Sequence, residues 1–219
     1  PARWRRMAGL SPADKSAADV RGVVWRDDEG QVHGAVAYRL KEIEGEFRAA
    51  LEVRHLVADS DEALRALWSF LLHHDLVNRV SVDLRPVDDP ITWLVTDQRA
   101  VNLRVQDQGW LRILDVPAAL QARRYAGADL DVAVRVTDAL GHAEGVWQVQ
   151  ITDGRAEVRA TDAAPEMTLD VAALSSAYLG GVPLTQLAAA DRVQGDREAI
   201  IGLSQALRAT EAPLLSIWY

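Results

Sequence analysis

His73-His74-Asp75 is the first group in this 219-residue chain whose side chains could hold a metal ion. Its spacing argues against that. Leu64, Leu67, Trp68, Leu71 and Leu72 precede it at helical spacing, so the two imidazoles stand at the end of an amphipathic helix. Adjacent residues on a helix point about 100° apart and do not easily share one ion. A helix C-terminus also favours histidine through its dipole. Asp27-Asp28-Glu29 and Asp88-Asp89 are acidic pairs beside Gly30 and Pro90. They could attract a polycation, but solvated turns use the same residues. Trp25 and Tyr38 fall within alternating segments and read as core or interface. The chain holds no Ser/His/Asp arrangement, P-loop or dinucleotide fingerprint. No residue set predicts a metal or cofactor site.

Composition narrows the function classes. The net charge is −8, from 24 basic and 32 acidic residues. A nucleic-acid-binding surface needs a clustered basic patch, so that class is not expected. Cysteine is absent, which removes disulfides and thiolate metal sites and fits a reducing cytoplasm. No apolar run approaches roughly 18 residues, so no spanning segment and no membrane partner are expected. The 49% apolar content suits a globular chain with a sizeable core.

The elements follow from periodicity. Ser11-Pro12-Ala13-Asp14 reads as the start of a short helix. Gly22 to Arg26, Val32 to Leu40 and Phe47 to Val57 alternate apolar with polar residues, which predicts three strands in an antiparallel meander. Asp59 to Glu62 opens the strongest helix, ending near His74. Val80 to Leu84 predicts a strand, and Asp88 to Trp93 a short helix with Pro90 in its first turn. Asn102 to Tyr125 is the stretch around which the chain is organised. It reads as a strand, a turn at Gly109, a second strand and a short helix begun by Pro117, with Leu103, Val105, Trp110, Ile113 and Val116 as apolar anchors. Beyond it, Val132–Val136, Trp147–Ile151, Ala156–Ala160 and Met167–Val171 predict strands, with a tight turn at Thr152-Asp153-Gly154. Helices are expected over 172–179, 184–190 and 196–208. Strands followed by helices predict an α+β fold.

WLRILDVPAALQARRY, residues 110–125, resembles the corresponding segment of the Eis-like (enhanced intracellular survival) GNAT N-acetyltransferases, and GGVPLTQLAAADRVQGDREAIIGLSQAL, residues 180–207, resembles a sterol-carrier-protein-like (SCP2-like) fold. That family has an N-terminal GNAT domain, a central GNAT-like region and a sterol-carrier-like C-terminal domain. The resemblance implies that this chain is the last two parts: a degenerate, N-terminally incomplete central GNAT-like domain at 1–112, a sterol-carrier-like domain at 113–219, and Pro1 as a cut point inside a longer parent.

A GNAT enzyme holds the acetyl-CoA pyrophosphate on a glycine-containing loop at a helix N-terminus. The matching junction, Val53 to Asp61, has no glycine and carries Asp59, Asp61 and Glu62. The expectation is therefore that this chain binds no cofactor, while its parent uses acetyl-CoA on cationic amines such as aminoglycosides. The resemblance also implies that the C-terminal carboxylate, here on Tyr219, reaches the active site of the missing N-terminal GNAT domain, with Trp218 on the substrate wall. The terminal residue itself departs from the family's best-known aromatic. The plainer alternative is that Trp218 and Tyr219 simply pin the chain end in a hydrophobic groove. Contacts within a homo-oligomer are a further expected role. A lipid or acyl carrier with an apolar cavity, and a non-catalytic oligomerisation scaffold, remain as alternative functions.

Overall fold

The computed structural model describes residues 17–107, 109–127 and 129–216. These form two compact units. One holds the described residues up to Arg85 together with Asp89–Arg104; the other holds Pro86–Asp88 and the described residues from Val105 onward. The helix start at Ser11 lies outside the described residues.

The first unit is a four-stranded sheet in the order β1-β2-β3-β4: β1 (Arg21–Arg26), β2 (Val32–Glu42), β3 (Ala49–Ala58) and β4 (Val77–Val82). The first three strands form the antiparallel meander, and β4 runs parallel to β3. A parallel neighbour needs a crossover, here helix α1 (Asp61–Leu72). Helix α1 buries Ala63, Leu67, Trp68 and Leu71. Leu67, Trp68 and Leu71 join Val36, Tyr38, Leu51, Val53 and Leu56 in one core, each large side chain contributing about 1.5–3 kcal/mol. Helix α2 (Ile91–Leu94) follows β4, with Pro90 as its N-cap rather than inside its first turn.

Two strand expectations need correction. Phe47 precedes β3 and is 88% exposed. The inward set on β3 is Leu51, Val53 and then Leu56, not His55 and Val57, because β3 carries one extra residue, Arg54, opposite Ala37/Tyr38 of β2, and this bulge shifts the register by one residue.

The second unit is a five-stranded sheet in the order β7-β6-β5-β8-β9: β5 (Leu130–Thr137), β6 (Gly145–Thr152), β7 (Arg155–Ala160), β8 (Met167–Asp170) and β9 (Val193–Gly195). Asp153 and Gly154, both at positive φ, make the tight β6–β7 turn. Helices α3 (Val116–Ala122), α4 (Val171–Tyr178), α5 (Leu184–Ala189) and α6 (Arg197–Leu207) complete the unit. Val132, Val134 and Val136 of β5 share a core with Val149, Leu174, Leu184, Leu203 and Leu207. The α+β class is as the patterning predicts, with β9 added to the expected strands. The two expected strands between Asn102 and Ile113 are not formed among the described residues. Leu103, Val105 and Trp110 are 61%, 74% and 93% exposed, so they anchor nothing in the chain itself, whereas Ile113 and Val116 are buried.

Candidate functional site

The junction between β3 and α1 is where a phosphate would have to sit. Two of its N–H groups are engaged from within. Ser60 caps α1, its hydroxyl accepting from the Ala63 N–H at 3.2 Å. The Asp59 N–H donates to the His33 carbonyl at 2.9 Å. Asp61 and Glu62 occupy the first turn, where negative charge favours the helix dipole and repels an anionic ligand.

His33 holds this junction to the β1–β2 turn. One ring nitrogen lies 2.9 Å from Asp27 Oδ2 and the other 3.0 Å from Asp59 Oδ1. Asp27 also accepts from the Gln31 N–H at 2.7 Å, and Gly30 takes the turn's positive φ of 83°. The two carboxylates raise the His33 pKa above its ordinary 6.5, Asp27 foremost, and His33 lowers that of Asp27 below its ordinary 3.8. A raised histidine pKa adds stability that is full below about 6.5 and is lost as pH rises through the folded value. The lowered Asp27 adds stability that is present above 3.8 and lost as pH falls through its folded value. The clasp is therefore tightest in mildly acidic solution. His33→Gln should flatten the fall in first-unit melting temperature between pH 6 and pH 8; an unchanged slope would show that the clasp does not couple to folding.

The edge of β3 beyond β4 is also closed. Pairing of the two parallel strands ends at Val53↔Val82. Arg85 then donates to the Leu56 carbonyl at 2.8 Å and to Asp89 at 2.6 Å. The Asp89 side chain is only 4% exposed, and it also accepts from the Ile91 N–H at 3.0 Å. The acidic pair at 88–89 is thus structural at Asp89. Of the two histidines, His73 bonds back to Ser69 and His74 packs edge-on against Tyr38. They face different neighbours and do not converge on a common point.

In the second unit the family-bearing segment organises packing. Asp115 caps α3, accepting from the Ala118 N–H at 2.9 Å. The Tyr125 hydroxyl donates to the Leu120 carbonyl at 2.6 Å, and burial raises the pKa of this phenol. Arg123 extends its guanidinium to the ends of two helices. It donates to the carbonyl of Tyr178, the last residue of α4, and at 2.7 Å to that of Leu207, the last of α6. The rings of Tyr125 and Tyr178 lie 5.1 Å and 5.6 Å from it. No local signal marks this role, because the acceptors are 55 and 84 residues away.

Asp138 is the second unit's most enclosed carboxylate, its side chain 1% exposed. It accepts from the Leu140 and Ala143 N–H groups at 2.9 and 3.0 Å and from Arg112 at 2.5 Å. These bonds, Leu140's foremost, hold its pKa below the usual carboxylate range against the opposing effect of burial. It borders an open depression with Arg112, Glu144 and Asp170. Its lining also includes Ala139, Leu140, Val171 and Ala172. Tyr219 and Trp218 lie outside the described residues. Among the described residues, no helix is long and apolar enough to cross a membrane.

Residues 1–113 match the family model described as an acetyltransferase (GNAT) domain, and residues 116–216 the model described as a sterol carrier protein domain. An uncharacterized N-acetyltransferase of Streptomyces avermitilis is 36% identical over 227 aligned positions, covering 98% of this chain and 54% of its own. The N-acetyltransferase Eis of Mycobacterium tuberculosis is 34% identical over 184 positions, covering 83% of this chain and 44% of its own. The crystal structure of Eis1 from Mycobacterium abscessus superposes with a TM-score of 0.79 at 34% identity, covering 100% of this chain and 55% of that one. The chain spans about half the length of the curated relatives it matches.

Proposed function

Because the chain belongs to the Eis-like N-acetyltransferases, with an acetyltransferase (GNAT) domain followed by a sterol carrier protein domain, we propose that it is the non-catalytic half of an acetyl-CoA-dependent enzyme. The reaction it serves is transfer of an acetyl group to an amine. On this reading residues 1–112 are a degenerate GNAT-like domain and residues 113–219 its sterol-carrier-like partner. A separate N-terminal GNAT domain holds the acetyl-CoA. This chain supplies substrate-pocket wall at Trp218, the terminal carboxylate of Tyr219 as proton acceptor for the attacking amine, and oligomer contacts. The substrate class is cationic amines, aminoglycosides among them, which the net charge of −8 suits. The compartment is the cytoplasm, as the lack of cysteine suggests.

The observation that carries this reading is the β3–α1 junction. The residues there do not fit acetyl-CoA: no glycine lets a phosphate approach, Ser60 and His33 take the Ala63 and Asp59 N–H groups, and Asp59, Asp61 and Glu62 add negative charge. The exposed apolar run of Leu103, Val105, Trp110 and Leu114 is surface that oligomer or domain contacts would cover.

Calorimetric titration of acetyl-CoA into the chain tests the proposal. No saturable heat is expected. Binding at unit stoichiometry would make the first unit a working acetyltransferase domain and overturn the reading.

A further inference from the structure

After helix α6 the chain has no regular structure from Arg208 to Ser216, yet it is tied down at successive points of its own unit. The Ala209 N–H donates to the Gly180 carbonyl at 3.4 Å. Pro213 lies over Gly181, where a β-carbon would come within 2.9 Å of its ring. The Ala212 N–H donates to Asp88 Oδ2 at 2.8 Å, across 124 residues of sequence. Leu215 lies against Gly109, where a β-carbon would stand 3.1 Å from its side chain. The missing side chain of Gly109 leaves room for this close approach.

A segment lacking internal hydrogen bonds orders only when outside contacts offset its lost conformational entropy. Each contact here comes from a residue far away in the chain. Asp88 supplies the side-chain acceptor for a main-chain N–H in the middle of the segment. We propose that residues 209–215 are a strap whose course is set by Asp88, Gly109 and Gly181, and that Asp88 is a positioning residue for the C-terminal end. The strap holds the chain as far as Leu215. Its bearing on acetyl transfer rests on the terminal-carboxylate reading above; the strap itself does not.

The test is carboxypeptidase Y digestion of the whole chain, followed by mass spectrometry. Release of Leu215 and Leu214 should be about tenfold faster in Asp88→Ala than in the unaltered chain, since proteolysis tracks the population of the opened form. Asp88→Asn keeps an acceptor oxygen and should restore the slow rate. Gly109→Leu, at an exposed position outside helix and strand, should speed release by displacing Leu215, and so serves if Asp88→Ala fails to fold. Equal rates in folded Asp88→Ala, or in Gly109→Leu, and the unaltered chain would overturn the strap.

In the enzyme that includes an N-terminal GNAT domain, Asp88→Ala should lower kcat and leave the KM for acetyl-CoA unchanged, as should deletion of Tyr219. Faster digestion with unchanged kcat would keep the strap and remove the carboxylate role.

Discussion

Replacing Arg123 with alanine is expected to destabilise the second unit by about 3–5 kcal/mol, measured by urea unfolding. The guanidinium donates to the final carbonyls of α4 and α6 together. Helix C-termini leave such carbonyls without partners, and a charge-assisted bond to each contributes about 1.5–3 kcal/mol. The rings of Tyr125 and Tyr178 add a smaller cation–π contribution. Because Arg123 is only half-buried, water recovers part of the loss. Arg123→Lys keeps the charge but lacks the planar fork that reaches two acceptors, so about half of the effect should persist. Faster hydrogen exchange in the last turns of both helices would locate the damage; exchange confined to one helix would contradict the double cap.

Gly195→Ala should cost at least as much, about 3–5 kcal/mol, and should act through the sheet edge. Gly195 ends β9 at φ 134°. A β-carbon there would collide with the Glu166 carbonyl and stand 2.6 Å from Met167 Cα, in the backbone of the neighbouring strand. Main chain cannot swing aside as a flexible side chain can. The Asp196 N–H also donates to that Glu166 carbonyl at 2.7 Å, and Asp196 is the N-cap of α6, accepting from Ala199. A displaced β9 therefore displaces the start of α6. Increased exchange in both β8 and the first turn of α6 is the expected signature. A variant with an unchanged melting curve would mean that the strand pair tolerates the shift.

Elements whose order is set by local patterning were legible in the sequence. The meander follows from two-residue alternation, α1 from its leucine spacing and acidic start, and α6 from Ile200, Leu203 and Leu207. The stretch from Asn102 to Ile113 was not. Its alternation marks extended backbone, but a strand also needs a free neighbouring edge, and sequence periodicity carries no information about edges. The register on β3 was hidden for a related reason, since the bulge at Arg54 exists only through pairing with β2, and alternation read along one strand carries no sign of it. At the candidate sites, the glycine-free acidic junction could be read directly. The closure of the β3 edge by Arg85, the double cap by Arg123 and the Asp88 tie could not. Each joins residues from 29 to 124 positions apart, and no short-range spacing encodes such a pair.

The joint core of β5 with α6 has a consequence for folding on the ribosome. Val132 and Val134 share their packing with Leu203 and Leu207, and Leu207 also offers its carbonyl to Arg123. Among the described residues, the first unit has all its strands and helices once residue 100 has emerged, and its core can close while translation continues. The second unit cannot close its core until residue 207 is out, however early its valine-rich strands appear. During that interval the apolar face of β5 and β6 lacks the cover of α6, and exposed apolar surface of this kind is what chaperones bind. Slowing elongation within the codons for α6 should therefore lengthen the vulnerable interval, whereas slowing it near residue 95 should leave the second unit unaffected.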